Sequence, residues 1–147
     1  MTYVSSDSKV ASVNGKGVVT INGTGIAYIT VSSKDDVKYN PGKKTVTVTV
    51  KPLKPVIKVT SPAKKQVKVQ ITKVKGATKY QINYGRMGKY YNKYITHVDN
   101  GYSTVSTIIG NRTSGKNYFI KVRAYKTLED GTKVWGNWTT IRKVKSK

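Results

Sequence analysis

The segment Arg86-Met87-Gly88-Lys89-Tyr90-Tyr91-Asn92-Lys93-Tyr94 sets three phenol rings among three cations. Such a set can recognise a ligand, because aromatic faces stack on sugars or bases while lysine and arginine attract phosphate or carboxylate groups. It can also be structural, with alternate tyrosines packed in a core and lysines keeping a strand edge soluble. On a strand, Tyr91 and Ile95 share one parity and Tyr90 and Tyr94 the other, so both faces carry aromatics. Arg86, Lys89, Tyr90, Tyr91, Lys93 and Tyr94 are therefore the candidate ligand contacts.

Other chemistry is harder to assemble. Carboxylate acid–base catalysis needs two acids that converge, yet the six are Asp7, Asp35, Asp36, Asp99, Glu129 and Asp130, most of them in segments that read as turns. The pairs Asp35-Asp36 and Glu129-Asp130 lack the ligand spacing of a calcium loop. His97 is the single histidine, which leaves no second imidazole for a metal site and no obvious triad. Without cysteine, disulfides, thiol catalysis and cysteine-rich zinc sites are excluded. Gly15, Gly17, Gly23 and Gly25 precede no helix and read as hairpin glycines rather than a phosphate loop. These residues predict a protein that is not an enzyme and has no catalytic residues, cofactor or metal.

Charge is the second unusual feature. The chain of 147 residues carries a formal net charge of +22. Residues 1–51 hold 7 Lys/Arg against 3 Asp/Glu, and residues 52–147 hold 21 against 3, giving +4 and +18. Lys58, Lys68, Lys121, Lys143 and Lys145 alternate with apolar residues, as on the wet faces of strands. Such lysines protect edges from aggregation, and they also create a field that draws polyanions. Trp135 and Trp138, three apart, are expected on opposite faces of a strand, so that at most one is core and the other is a surface aromatic.

The elements that must position these groups are strands. Val10–Val13 and Val18–Ile21 flank Asn14-Gly15-Lys16-Gly17 and predict a hairpin. Ala27, Ile29 and Val31 alternate with Tyr28 and Thr30, as Val46, Val48 and Val50 do with Thr45, Thr47 and Thr49. Lys51-Pro52-Leu53-Lys54-Pro55 restricts the backbone and reads as a joint, with 52–55 as linker. Beyond it, strands are expected at Val56–Val59, Val67–Thr72, Lys79–Tyr84, Tyr91–Val98, Thr104–Ile109, Tyr118–Tyr125 and Trp138–Val144. In the third of these, Tyr80, Ile82 and Tyr84 point inward, and Lys79, Gln81 and Asn83 point to water. No helical spacing is sustained and no run of about 18 apolar residues occurs, so neither a signal peptide nor a membrane span is expected.

Two resemblances attach to these motifs. Ser5-Ser6-Asp7, Val10-Ala11-Ser12-Val13, Gly17-Val18-Val19-Thr20 and Gly25-Ile26-Ala27-Tyr28-Ile29-Thr30-Val31 resemble the later half of the bacterial immunoglobulin-like group 2 domain. Gly76-Ala77-Thr78-Lys79-Tyr80-Gln81-Ile82-Asn83-Tyr84, Gly115-Lys116-Asn117-Tyr118-Phe119-Ile120-Lys121-Val122-Arg123-Ala124-Tyr125 and Trp135-Gly136-Asn137-Trp138 are similar to the fibronectin type III pattern. That second likeness implies a corner tyrosine at Tyr118 with a buried ring and a backbone-bonded hydroxyl, a structural role for Tyr80, and Trp138 as a packing residue capped by arginine or lysine stems. Two positions depart from it: Ile71 replaces the usual tryptophan, and Arg112 stands where an apolar residue is expected, so that Ile108 or Ile109 must fill the core.

The fold class implied is all-β, with two immunoglobulin-like β-sandwich modules in tandem. Residues 1–51 form a partial group 2 module lacking its opening strands, and residues 56–147 a fibronectin type III-like module. The resemblance implies a structural or adhesive unit of a bacterial cell-surface or secreted protein, acting as a spacer or as a protein- or glycan-interaction unit among other domains of a larger parent. The alternatives are a polyanion-binding module for cell-wall polymer and an accessory carbohydrate-binding unit of a secreted hydrolase. Expected partners are anionic wall polymer, glycan or host protein, with no specific nucleic acid and no membrane insertion. Strand exchange through the incomplete first module is a further expectation.

Overall fold

The computed structural model describes residues 1–34, 40–97 and 100–147. Asp35, Asp36 and Asp99, and the Val98 end of the strand expected over Tyr91–Val98, lie outside the described residues. Every regular element among the described residues is a strand, and no helix is long and apolar enough to cross a membrane. The chain divides into two compact units, Met1–Lys51 and Pro52–Lys147. Pro52 and Pro55, read from sequence as linker, are buried and belong to the second unit.

The first unit holds β1 (Thr2–Ser5), β2 (Ala11–Val13), β3 (Val19–Ile21), β4 (Gly25–Ser32) and β5 (Lys43–Val50). β4 lies between β1 and β5, antiparallel to both, while β2 and β3 form the expected hairpin. Asn14 builds the turn, its side-chain oxygen accepting from the amides of Lys16 and Val18. β1 was not anticipated, because four residues with one aromatic give little periodicity. The buried cluster is small, comprising Val10, Ala11 and Ala27 with Val48 and Val50 packed against it. Val46 shares the parity of Val48 and Val50, yet it is 49% exposed, as is Ile21 at 55%. The alternation is real and its apolar face is only partly covered.

The second unit holds β6 (Ile57–Thr60), β7 (Val67–Thr72), β8 (Lys79–Arg86), β9 (Lys89–Thr96), β10 (Thr104–Ile109), β11 (Asn117–Thr127), β12 (Lys133–Trp135) and β13 (Arg142–Lys145). One sheet has the order β10-β7-β6; the other has β12-β11-β8-β9, with β13 also paired to β11. Val67, Val69 and Ile71 from the first sheet meet Tyr80, Ile82, Tyr118, Ile120, Val122 and Ala124 from the second. Each of these nine residues is at most 5% exposed. Full burial of one such aliphatic side chain stabilises by about 1.5–3 kcal/mol, so the period-two pattern of β7, β8 and β11 carries this core.

Tyr80 closes the core at one end. Its hydroxyl accepts from the Val74 amide at 2.8 Å and lies 3.0 Å from His97 Nδ1. At the other end the Tyr118 hydroxyl accepts from the Thr113 amide at 2.8 Å. Ile109, 4% exposed, takes the core position left by Arg112, whereas Ile108 is 48% exposed.

Candidate functional site

β8 and β9 form a hairpin whose turn is Met87-Gly88, with Gly88 in the left-handed region (φ 75°) that glycine tolerates. Across the ladder Gly85 opposes Tyr90, and a Cβ there would run into the Lys89 carbonyl and the Tyr90 Cα. The glycine thus lets β9 lie close. Strand alternation then divides the candidate contacts between two faces.

Tyr91 and Lys93 lie on the side facing the sandwich interior. The Tyr91 ring contacts that of Tyr84 at 5.8 Å, and Lys93 Nζ reaches the Ile108 carbonyl at 2.9 Å, joining the two sheets along an open flank. Tyr90 and Tyr94 lie on the outer face. Tyr90 borders a concavity of about 300 Å³ with Phe119 and Ile141, and the Tyr94 hydroxyl accepts from Gln81 Nε2 at 3.1 Å. Arg86 and Lys89 flank the turn. The six residues therefore do not make one surface.

Arg86, Lys89 and Tyr91 instead meet residues from the loop between β10 and β11. Together with Arg112, Thr113, Lys116, Tyr118 and their neighbours they line an open concavity of about 650 Å³. Arg112 Nε donates to the Gly110 carbonyl at 2.7 Å, and its guanidinium lies 5.4 Å from the Tyr84 ring centroid and 5.7 Å from that of Tyr118. Arg112 and Lys116 escaped the sequence reading as ligand contacts because proximity to the hairpin arises only on pairing β8 with β11, Phe119 opposite Gly85.

The Tyr118 phenol registers the local field. Burial alone would raise its pKa, but the Thr113 hydrogen bond and the positive charges of Arg112 and Arg86 bring it below the usual tyrosine value.

The outer face of the larger sheet carries a second arrangement. The Arg123 guanidinium sits 3.8 Å from the Trp135 centroid and 4.5 Å from that of Trp138, and Lys121 Nζ lies 4.9 Å from Trp138 on the same stack. Arg123 Nε also donates to Gln81 Oε1 at 2.8 Å. Gln81, expected to face water, is 6% exposed because Arg123 and Tyr94 cover it.

The two tryptophans were expected on opposite faces; they share one. β12 ends at Trp135, opposite Tyr125, and β13 starts with Arg142 opposite Ile120. The segment between them carries two residues more than the stretch of β11 it follows, so strict alternation lapses there. Trp138, expected as a packing residue under arginine or lysine stems, is half-buried on the outer face against Arg123 and Lys121.

His97, stacked on Tyr80 and bonded to its hydroxyl, has a structural position. Asp7 accepts from the Lys9 amide. Glu129 and Asp130 sit in the turn beyond β11, where Asp130 accepts from the Thr132 amide at 2.9 Å and that bond holds its carboxyl below the usual range. Among the described residues, no three His, Cys, Asp or Glu side chains group as metal ligands would.

No protein-family model matches the chain, and no curated protein matches it in sequence. Solved structures do. The FN1–FN3 domains of chicken CNTN1 align over 88% of this chain and 46% of that one, at 14% identity and a TM-score of 0.54. The chicken interferon gamma receptor alpha chain aligns over 84% of this chain and 66% of that one, at 9% identity and a TM-score of 0.50. The FN5 domain of Drosophila Lar aligns over 65% of this chain and 96% of that one, at 17% identity and a TM-score of 0.46. The chain is all-β, and its fold is that of the fibronectin type III and immunoglobulin-like β-sandwiches.

Proposed function

We propose that this chain is a non-catalytic structural and adhesive module of a bacterial cell-surface or secreted protein, spacing or presenting other domains of a larger parent. The observation that carries this reading is the construction of the second unit: a fully packed sandwich whose unusual side chains stand on its outer faces and at its end. Fibronectin type III-like domains commonly serve as structural or interaction modules. The group 2 motifs of the first unit, from Val10-Ala11-Ser12-Val13 to Gly25–Val31, support the bacterial assignment. Labelling intact cells of the source organism with an antibody raised against residues 52–147 tests it. Signal on unpermeabilised cells, or in the culture medium, is the expected result. Signal confined to permeabilised cells overturns it.

A further inference from the structure

The concavity beside the β8–β9 turn has a chemistry that the spacer role does not require. Its lining includes Arg86, Lys89, Arg112 and Lys116 and contains no Asp or Glu. Its volume of about 650 Å³ is within the range of small-molecule sites. The cations come from the strand ends at the β8–β9 turn and from the loop between β10 and β11, so the chain has placed like charges together across a gap, at an electrostatic cost that an anion would relieve.

The site is also pre-organised. Arg112 is pinned by Gly110 and by two rings, which leaves the terminal guanidinium nitrogens as a paired donor for an oxyanion. The Arg112 amide donates to the Lys65 carbonyl at 2.9 Å, the Lys65 amide to the Lys147 carbonyl at 2.8 Å, and the Gly115 amide to the Ser146 carbonyl at 2.7 Å. Lys65 and Asn111 are the non-glycine residues of positive φ among the described residues, at 59° and 56°. Lys65 belongs to this network, and Asn111, next to Arg112, lines the concavity. Strained backbone of this kind persists where the surroundings over-determine it, and it concentrates at binding sites.

Tyr91 adds the second half of the recognition. The residue is 46% exposed and lines the same concavity, where its ring offers a flat surface to the C–H face of a sugar. A single-stranded nucleic acid would need successive stacking platforms along a basic track. Tyr90 and Tyr94 cannot supply them, because they lie on the opposite face of β9.

We infer that Arg86, Lys89, Arg112, Lys116 and Tyr91 form a binding site for a polyanionic sugar or polyol polymer, with the guanidinium and ammonium groups holding the oxyanion and Tyr91 packing on the adjoining sugar or polyol. The oxyanion is a phosphodiester or a carboxylate. The inference goes beyond the spacer role and stands independently of where in the cell the protein works.

The test is calorimetric titration of the whole chain at 150 mM NaCl with poly(glycerol phosphate), polygalacturonate, neutral dextran and oligo(dT). Saturable binding to either polyanionic glycopolymer is expected, and the one preferred identifies the oxyanion. The double variant Lys89→Gln/Lys116→Gln should weaken that binding at least tenfold. Lys75→Gln/Lys79→Gln, which removes the same charge from the opposite end of β8, should change it less than twofold. Tyr91→Ala should weaken it about fivefold, and circular dichroism confirms that each variant is folded. Equal weakening by both double variants, tighter binding of oligo(dT) than of either glycopolymer, or no saturable binding to any polymer would overturn the inference.

Discussion

A single phenol shows how residue chemistry sets both stability and its pH range. Tyr80 is fully buried, and its hydroxyl satisfies the Val74 amide while meeting His97. Tyr80→Phe would leave that buried amide without a partner and should cost about 1–3 kcal/mol at pH 7, read from the urea midpoint. Burial raises the Tyr80 pKa, against the pull of the Val74 hydrogen bond, so the folded state favours the neutral phenol. The stability this represents is complete below the ordinary tyrosine value of about 10 and is lost as pH rises through the raised one. The gap between wild type and Tyr80→Phe should therefore narrow between pH 9 and pH 11; a constant gap would contradict this. Tyr80 itself was readable in sequence from its alternation with Ile82 and Tyr84. The hydrogen bond to Val74 was not, since it depends on a turn of six residues closing over the ring.

At the scale of elements, period two explains most of what was foreseen. β7, β8, β10 and β11 fall where alternation of Val, Ile and Tyr puts them. The pattern failed where the backbone left the ladder, as between β12 and β13, and the misplaced tryptophan is the direct result. Arg123 is the rung that holds that outer stack together. Arg123→Ala should destabilise the second unit by about 2 kcal/mol, combining a lost cation–π pair with a lost charged hydrogen bond. Arg123→Lys should restore less than half, because an ammonium cannot lie flat between two indoles and also bond Gln81. Tryptophan fluorescence should shift to the red in both. The candidate site was legible only in halves: Arg86, Lys89 and Tyr91 through their local cluster, Arg112 and Lys116 not at all, because no spacing rule links a hairpin turn to a loop that lies far along the chain.

Across the whole molecule, burial and charge are unevenly distributed. The buried cluster of the first unit has three residues with two valines packed against it, that of the second thirteen with five more apolar residues against it. Hydrogen exchange at pH 7 should accordingly protect amides of β7, β8 and β11 most strongly and those of β5 at least a hundredfold less, reflecting local opening of the weaker unit. Comparable protection in β5 and β8 would refute that ordering. Among the described residues, the acids of the second unit are no less unevenly placed. Glu129 and Asp130 follow the end of β11 that lies farthest from Asn117, and eleven residues at about 3.3 Å each separate that turn from the basic concavity by roughly 35 Å. A body charged in this way experiences torque as well as attraction. Within about one Debye length of an anionic layer, Glu129 and Asp130 would be pushed away while Arg112 and its neighbours were drawn in, a bias that Lys79 and Lys133 at the acidic end reduce. Its encounters would be biased toward the Arg112 end by the time contact began.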